Sequence, residues 1–134
     1  MNVSLWPVAH IDQIWPSLRE GFQKALLATG GDLTTADLWT ACRAGNAFLL
    51  IAHDGEQVFG ASIWRPDTWQ TGPKLRCLAL YGAGFRDWID DMRAMAVRLA
   101  HDCGATSLVS DGRVGWTKVF PNAKRLRITY EEKL

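Results

Sequence analysis

KLRCLALYGAGFRDWIDDMRAMAVRLAHDCG, residues 74–104, is the stretch on which the fold turns. Its first part, KLRCLALY (74–81), alternates apolar and charged residues and then becomes apolar, the reading of a strand. Gly82-Ala83-Gly84 breaks that strand, because glycines permit the tight turn that other residues resist. A long helix begins at once. Phe85, Trp88, Ile89, Met92, Met95, Ala96 and Leu99 recur at helical spacing and form one buried stripe. Asp87, Asp90 and Asp91 fall on its polar face. His101 lies in the last turn, where a cation suits the helix dipole, and Gly104 closes the element.

Working outward, TSLVS (106–110) reads as the next strand. DGRVGW (111–116) is a turn entering a short helix to about Phe120, and RLRITYEE (125–132) is a final strand. Upstream, VFGASIW (58–64) and AFLLIA (47–52) form a hairpin around Asp54-Gly55. WRPDTWQTGP (64–73) is the loop that leads into the decisive stretch. Residues 35–44 predict a helix with Thr34 as N-cap, Asp37 completing a capping box and Leu33 against Leu38 as a staple. Residues 11–28 predict another, from Ile11, Ile14, Trp15, Leu18, Phe22, Ala25 and Leu26, with Pro16 tolerated near a first turn. VSLW (3–6) adds a strand in front. The expected class is α/β in the α+β sense: a central, mixed and mostly antiparallel sheet flanked by helices. The expected core is Leu49, Leu50, Ile51, Leu78, Leu80, Trp88, Ile89, Met92, Leu99 and Leu108.

Composition bounds the function. The chain has 134 residues, 48% apolar and 22% charged, which suits one globular domain with a real core. A formal charge of +1 gives no global field to draw in nucleic acid or an anionic membrane. Lys118, Lys124, Arg125 and Arg127 are the only cationic cluster, small and without aromatic interleaving, so no nucleic-acid partner is expected. No apolar run reaches the roughly 20 residues of a membrane-spanning helix. The start MNVSLWPVAH lacks a signal-peptide pattern. A cytoplasmic location is the expectation. Cys42, Cys77 and Cys103 are too scattered for a disulfide framework or a metal site. Seven tryptophans are many for this length. Trp64 and Trp69 flank the 64–73 loop, where they either pack as core or line a pocket or interface.

Few residues carry legible chemistry. Gly82 and Gly84 have two readings: small residues that let a backbone approach a phosphate at a helix N-terminus, or a tight turn and nothing more. Arg86 adds a cation there. Asp111, Arg113 and Trp116, with Trp64, form either one wall of a substrate cleft, with Arg113 gripping an anion, or a salt-bridged turn over a buried tryptophan. His10, His53 and His101 join no Ser/His/Asp arrangement, and His53 reads as solvated in its turn. Glu56, close to the central strands, and Tyr130 are the candidate proton-transfer groups.

Two helices, an antiparallel meander, then strand, glycine turn, long helix and strand: this order resembles the GNAT superfamily of acyl-CoA-dependent N-acyltransferases. The resemblance spans 1–134 as a single GNAT-like domain. The family's Gln/Arg-x-x-Gly-x-Gly/Ala turn matches at Gly82 and Gly84, while its Gln/Arg position falls on Ala79. The family's later Asn-x-x-Ala-x-x-x-Tyr pattern has no match, and its phenol position falls on Phe120, which has no proton to give. The resemblance implies acetyl-CoA or another acyl-CoA held by Leu80, Tyr81, Gly82, Ala83, Gly84, Phe85 and Arg86. It also implies acyl transfer to a small-molecule or protein amine. The two departures leave open a second expectation, a non-catalytic GNAT-fold domain that binds a protein partner through exposed tryptophans. Such divergent domains resemble those of tailed-phage genomes.

Overall fold

The computed structural model describes residues 2–112 and 120–134. Chain order is β1 (Asn2–Leu5), a 3-10 turn (Val8–His10), α1 (Ile11–Ala28), α2 (Thr35–Arg43), β2 (Phe48–His53), β3 (Val58–Trp69), β4 (Gly72–Gly82), α3 (Phe85–Asp102) and β5 (Ser107–Ser110). The five strands form one sheet in the order β1-β2-β3-β4-β5. β1 to β4 pair antiparallel, and β5 returns parallel to β4 after the α3 crossover. The expected mixed, mostly antiparallel sheet with flanking helices is the architecture found.

Side-chain alternation along the strands sends residues to two cores. Leu49, Ile51, Ala61 and Ile63 meet Trp15, Leu18, Phe22 and Leu26 of α1 and Leu38 of α2. Leu50, Ala52, Leu75 and Cys77 meet Trp88, Ile89, Met92, Ala96 and Leu99 of α3. The α3 stripe read from the sequence is thus the face that packs on the sheet. Leu80 and Leu108, expected in the core, are only half-buried: Leu80 lies beyond the last β4–β5 pair, and Leu108 lies on β5, an edge strand of the sheet.

Local chemistry fixes the element ends. The Asp37 N–H donates to Thr34 Oγ1 at 3.1 Å, and the Thr34 N–H donates to Asp37 Oδ2 at 2.9 Å, the full capping box of α2. Those hydrogen bonds hold the Asp37 carboxyl below its usual range. α1 begins at Ile11, so Pro16 falls beyond the first turn; the helix continues through it without the bond a residue-16 N–H would donate to Asp12.

Two sequence expectations need correction. Residues 65–69 are strand, not loop: β3 runs to Trp69 and pairs with β4 down to Trp69–Gly72. β2 pairs only as far as Trp64, so Pro66 sits on an edge where its missing N–H costs no ladder bond. Residues 125–132 carry strand-like alternation but join no sheet; a strand forms only against a neighbour, and this segment is exposed, with the Arg127 guanidinium 5.3 Å over the Trp69 ring. The short helix expected after residue 111 falls largely on 113–119, outside the described residues; Phe120 itself opens a turn closed by the Ala123 N–H on its carbonyl at 3.0 Å.

Candidate functional site

β4 is irregular at one point, and the site is built around it. Ile63 and Trp64 are consecutive in β3, yet their partners in β4 are Ala79 and Cys77. Leu78 is therefore an extra residue, a β-bulge. Leu78 and Ala79 consequently face the same core, that of α1 and α2, while Cys77 faces α3. A bulge bends its strand and sharpens the twist. The parallel pairing of β4 with β5 stops at the same place: Cys77–Ser110 is its last pair. Beyond it β4 continues to Gly82 with β3 on one side and, among the described residues, no strand on the other.

The free side of β4 has a defined polarity. The Ala83 N–H donates to the Phe59 carbonyl at 3.0 Å. Antiparallel pairing alternates, so Tyr81 and Ala79 also turn their amides toward β3. Leu80 and Gly82 turn theirs the other way, into the opening. That row ends at the α3 N-terminus. Gly84 is its N-cap, at φ 66° and ψ 39°, with no side chain capping it. Such a left-handed position favours glycine. Among the described residues a Cβ on Gly84 would meet only Asp87 Oδ2 within 4 Å, at 3.5 Å. The opening thus offers outward-facing amides along a strand edge and then a helix N-terminus, which suits an extended, amide-bearing ligand that ends in an anion.

The residues named from the sequence divide accordingly. Leu80, Gly82 and Gly84 border the opening. Phe85 and the exposed Arg86 begin α3 beside it. Ala83 is corrected: its N–H is taken by Phe59, and its carbonyl accepts from the Trp88 indole at 2.8 Å, so neither faces a ligand. Tyr81 is corrected too: its ring turns to α1, edge-on to Phe22 with centroids 5.0 Å apart and against Gly21, and burial raises its phenol pKa. Trp64 is not a cleft wall. It is 4% exposed in the α3 core and donates to Ser62 Oγ at 2.7 Å. Arg113 and Trp116 lie outside the described residues.

Asp111, next after the last paired residue of β5, accepts from Arg76 Nη2 at 2.7 Å. Asp32, in the α1–α2 connection, stands 3.9 Å from the same nitrogen. Among the described residues two carboxylates thus stand against this one guanidinium. Arg76 and Asp32 escaped sequence reading, since nothing in a 44-residue separation announces the pair. The bulge did leave a signal: the alternation of KLRC breaks at Leu78.

The candidate proton-transfer groups lie elsewhere. Glu56 is exposed in the β2–β3 turn, where its backbone N–H donates to Asp54 Oδ1 at 2.9 Å. Tyr130 is 86% exposed in the C-terminal segment. His53, expected to be solvated, is half-buried: its Nε2 is 2.8 Å from Ser4 Oγ, and the Gly55 N–H donates to its Nδ1 at 3.0 Å. Nδ1 being the acceptor, Nε2 carries the hydrogen and gives it to Ser4. The imidazole therefore does not act as a base on that hydroxyl. Six tryptophans are described: Trp15, Trp64 and Trp88 are buried and Trp6, Trp39 and Trp69 half-buried, while Trp116 lies outside the described residues. Among the described residues no group of three or more His, Cys, Asp or Glu is placed to hold a metal, and no helix is long and apolar enough to cross a membrane.

No protein-family model and no curated protein sequence matches this chain. Solved structures do match in fold. A probable acetyltransferase superposes with a TM-score of 0.70 at 16% identity, over 100% of this chain and 97% of that one. Aminoglycoside N-acetyltransferase AAC(6')-Iy in complex with CoA gives 0.69 at 14%, over 98% and 93%. Ribosomal-protein-alanine N-acetyltransferase from Brucella melitensis biovar Abortus 2308 gives 0.66 at 14%, over 100% of both chains. At these identities the likeness is one of fold: this chain has the fold of GNAT acetyltransferases.

Proposed function

We propose that this chain is an acyl-CoA-dependent N-acyltransferase of the GNAT superfamily, acting in the cytoplasm on an amine. One observation carries the reading. β4 and β5 part at Cys77–Ser110, at the Leu78 bulge, and the edge so freed runs straight to the glycine turn of α3. A fold alone does not fix an activity; an opening with this donor set, in a fold shared with a CoA-bound acetyltransferase, supports one.

The donor set fits the group. The outward amides of Leu80 and Gly82 match the peptide-like arm of CoA, and the Gly84–Arg86 turn matches its pyrophosphate. Bound there, acyl-CoA supplies a thioester carbonyl as electrophile. The chain's own residues position it, and an outward strand N–H polarises its oxygen. The amine enters from the face of Asp32 and Asp111, whose carboxylates draw a cation. The ammonium so drawn would first give one proton to water; its nitrogen would then form the C–N bond as the C–S bond breaks, and the second proton lost by nitrogen would balance the thiolate released. No covalent enzyme intermediate is needed. The amine belongs to a small molecule or a protein; an aminoglycoside N-acetyltransferase and a ribosomal-protein-alanine N-acetyltransferase share this fold.

A second reading, a non-catalytic domain of the same fold that binds a protein, draws on the exposed Leu126, Ile128 and Tyr130, which suit a contact surface. One titration separates the two. At about a hundred times its dissociation constant a ligand stabilises the native state by about 2.7 kcal/mol. Acetyl-CoA and CoA are expected to raise the unfolding temperature saturably. An unmoved transition at millimolar CoA overturns the acyltransferase reading.

A further inference from the structure

We propose that Trp88 is a positioning residue for the CoA pyrophosphate: by holding the Ala83 carbonyl, its indole N–H aims the Gly84 amide outward from the glycine turn. The inference rests on the acyl-CoA reading and deepens it.

Trp88 lies in the first turn of α3 and is 1% exposed. Its ring occupies the space where two glycines lack side chains. A Cβ on Gly60 of β3 would lie 2.5 Å from Trp88 Cζ2, and one on Gly82 of β4 would lie 2.6 Å from the same atom. These two glycines are paired across the strands. The indole is therefore wedged against both strands at the point where β4 gives way to the turn. From that seat its Nε1 donates to Ala83 O at 2.8 Å. The tilted Phe85 ring, centroid 4.9 Å away, braces it from the helix side.

The hydrogen bond fixes more than a carbonyl. A trans peptide is planar, and its C=O and N–H point in opposite directions. Holding the Ala83 carbonyl toward the indole turns the N–H of the same peptide unit, that of Gly84, toward the exposed side. The adjoining peptides are fixed as well: the Ala83 N–H is on Phe59 O, and the Gly84 carbonyl accepts from Asp87 N at 3.0 Å. Among the described residues the indole N–H is the partner shown for the Ala83 carbonyl, and without it the peptide plane is no longer fixed from that side.

The test compares wild type with Trp88→Phe, using glycine-labelled protein, and titrates each with CoA and with pantetheine, which lacks the pyrophosphate. Wild type is expected to show a CoA-dependent shift of the Gly84 amide resonance. Trp88→Phe is expected to keep its circular dichroism and pantetheine affinity, lose the Gly84 shift and bind CoA about three- to tenfold more weakly, the equivalent of one hydrogen bond. If the phenyl ring leaves the protein unfolded, 3-benzothienylalanine at position 88 keeps the ring shape without the N–H and carries the same comparison. Unchanged CoA affinity and an unchanged Gly84 shift overturn the proposal, and so does an equal loss for both ligands, which marks a structural role only. A wild type that binds neither ligand overturns the acyl-CoA reading itself.

Discussion

Leu78 and Ala79 are neighbours in β4, yet both side chains enter the core between the sheet and α1. In a regular strand successive side chains alternate, so two on one side mark the bulge. The consequences run in both directions along the strand. Toward its start, Cys77 keeps its partner Ser110; toward its end, β4 pairs only with β3 among the described residues. The same extra residue therefore shapes the core and marks where the pairing with β5 ends.

Removing Leu78 tests that coupling. Without it Cys77 would face α3 and Ala79 the opposite core, which is ordinary alternation. The deleted protein is expected to be less stable, because a buried leucine is lost, but to keep its secondary structure. Its affinity for CoA should fall by about tenfold or more, about 1.4 kcal/mol. Calorimetric titration of the folded variant reads this out; full affinity would show that the bulge does not open the site.

Leu50 tests the other core. It is 0% exposed, in the interior strand β2, and belongs to the same core as Trp88 and Met92. Replacing it with Ala should cost about 2–5 kcal/mol if the site does not collapse. Chemical denaturation measures the cost, and a change below about half a kcal/mol would contradict this packing.

The meander, the α2 capping box and the glycine turn were legible because each is written in nearby residues. Thr34 and Asp37 are three apart, and Gly82-Ala83-Gly84 is contiguous. The bulge was half legible. A change of period at Leu78 is visible in the sequence, but its meaning depends on Ile63 and Trp64 being adjacent in the opposite strand. The wedge of Trp88 against Gly60 and Gly82 was hidden, since it joins residues from three elements. RLRITYEE misled for the converse reason. Alternation of Leu126, Ile128 and Tyr130 states a preference for a strand, and only a neighbour can realise it.

The three thiols should separate by reactivity. Burial pushes the Cys42 and Cys77 thiols up to about 12, whereas Cys103 is exposed. A thiol reagent at neutral pH should label Cys103 in the native protein and all three after denaturation. The raised values also set the sign of the alkaline response. Between about pH 8.5, where an unfolded cysteine ionises, and about 12, the unfolded chain holds fewer protons than the native one. Stability contributed by the two buried thiols is full below that window and falls as pH rises through it. Cysteine-to-alanine variants at 42 and 77 should flatten the decline seen by denaturation at pH 8 to 11.

The glycine turn orders three substitutions. Gly84 sits at φ 66°, so a β-branched side chain there both strains the turn and stands where a pyrophosphate must approach. Arg86 is exposed, and its contribution as a cation is screened. Asp87 acts in the opposite sense. Its carboxylate is 3.5 Å from the position of a Gly84 Cβ, which helps the helix N-terminus but repels an anion bound there. Gly84→Val should therefore lose more CoA affinity than Arg86→Ala, both remaining folded by circular dichroism. Asp87→Asn should gain, by about two- to fivefold at low salt, with the gain fading as ionic strength approaches about 0.15 M. If Asp87→Asn leaves the affinity unchanged at low salt and a folded Gly84→Val binds CoA as wild type does, the phosphate is held at another place.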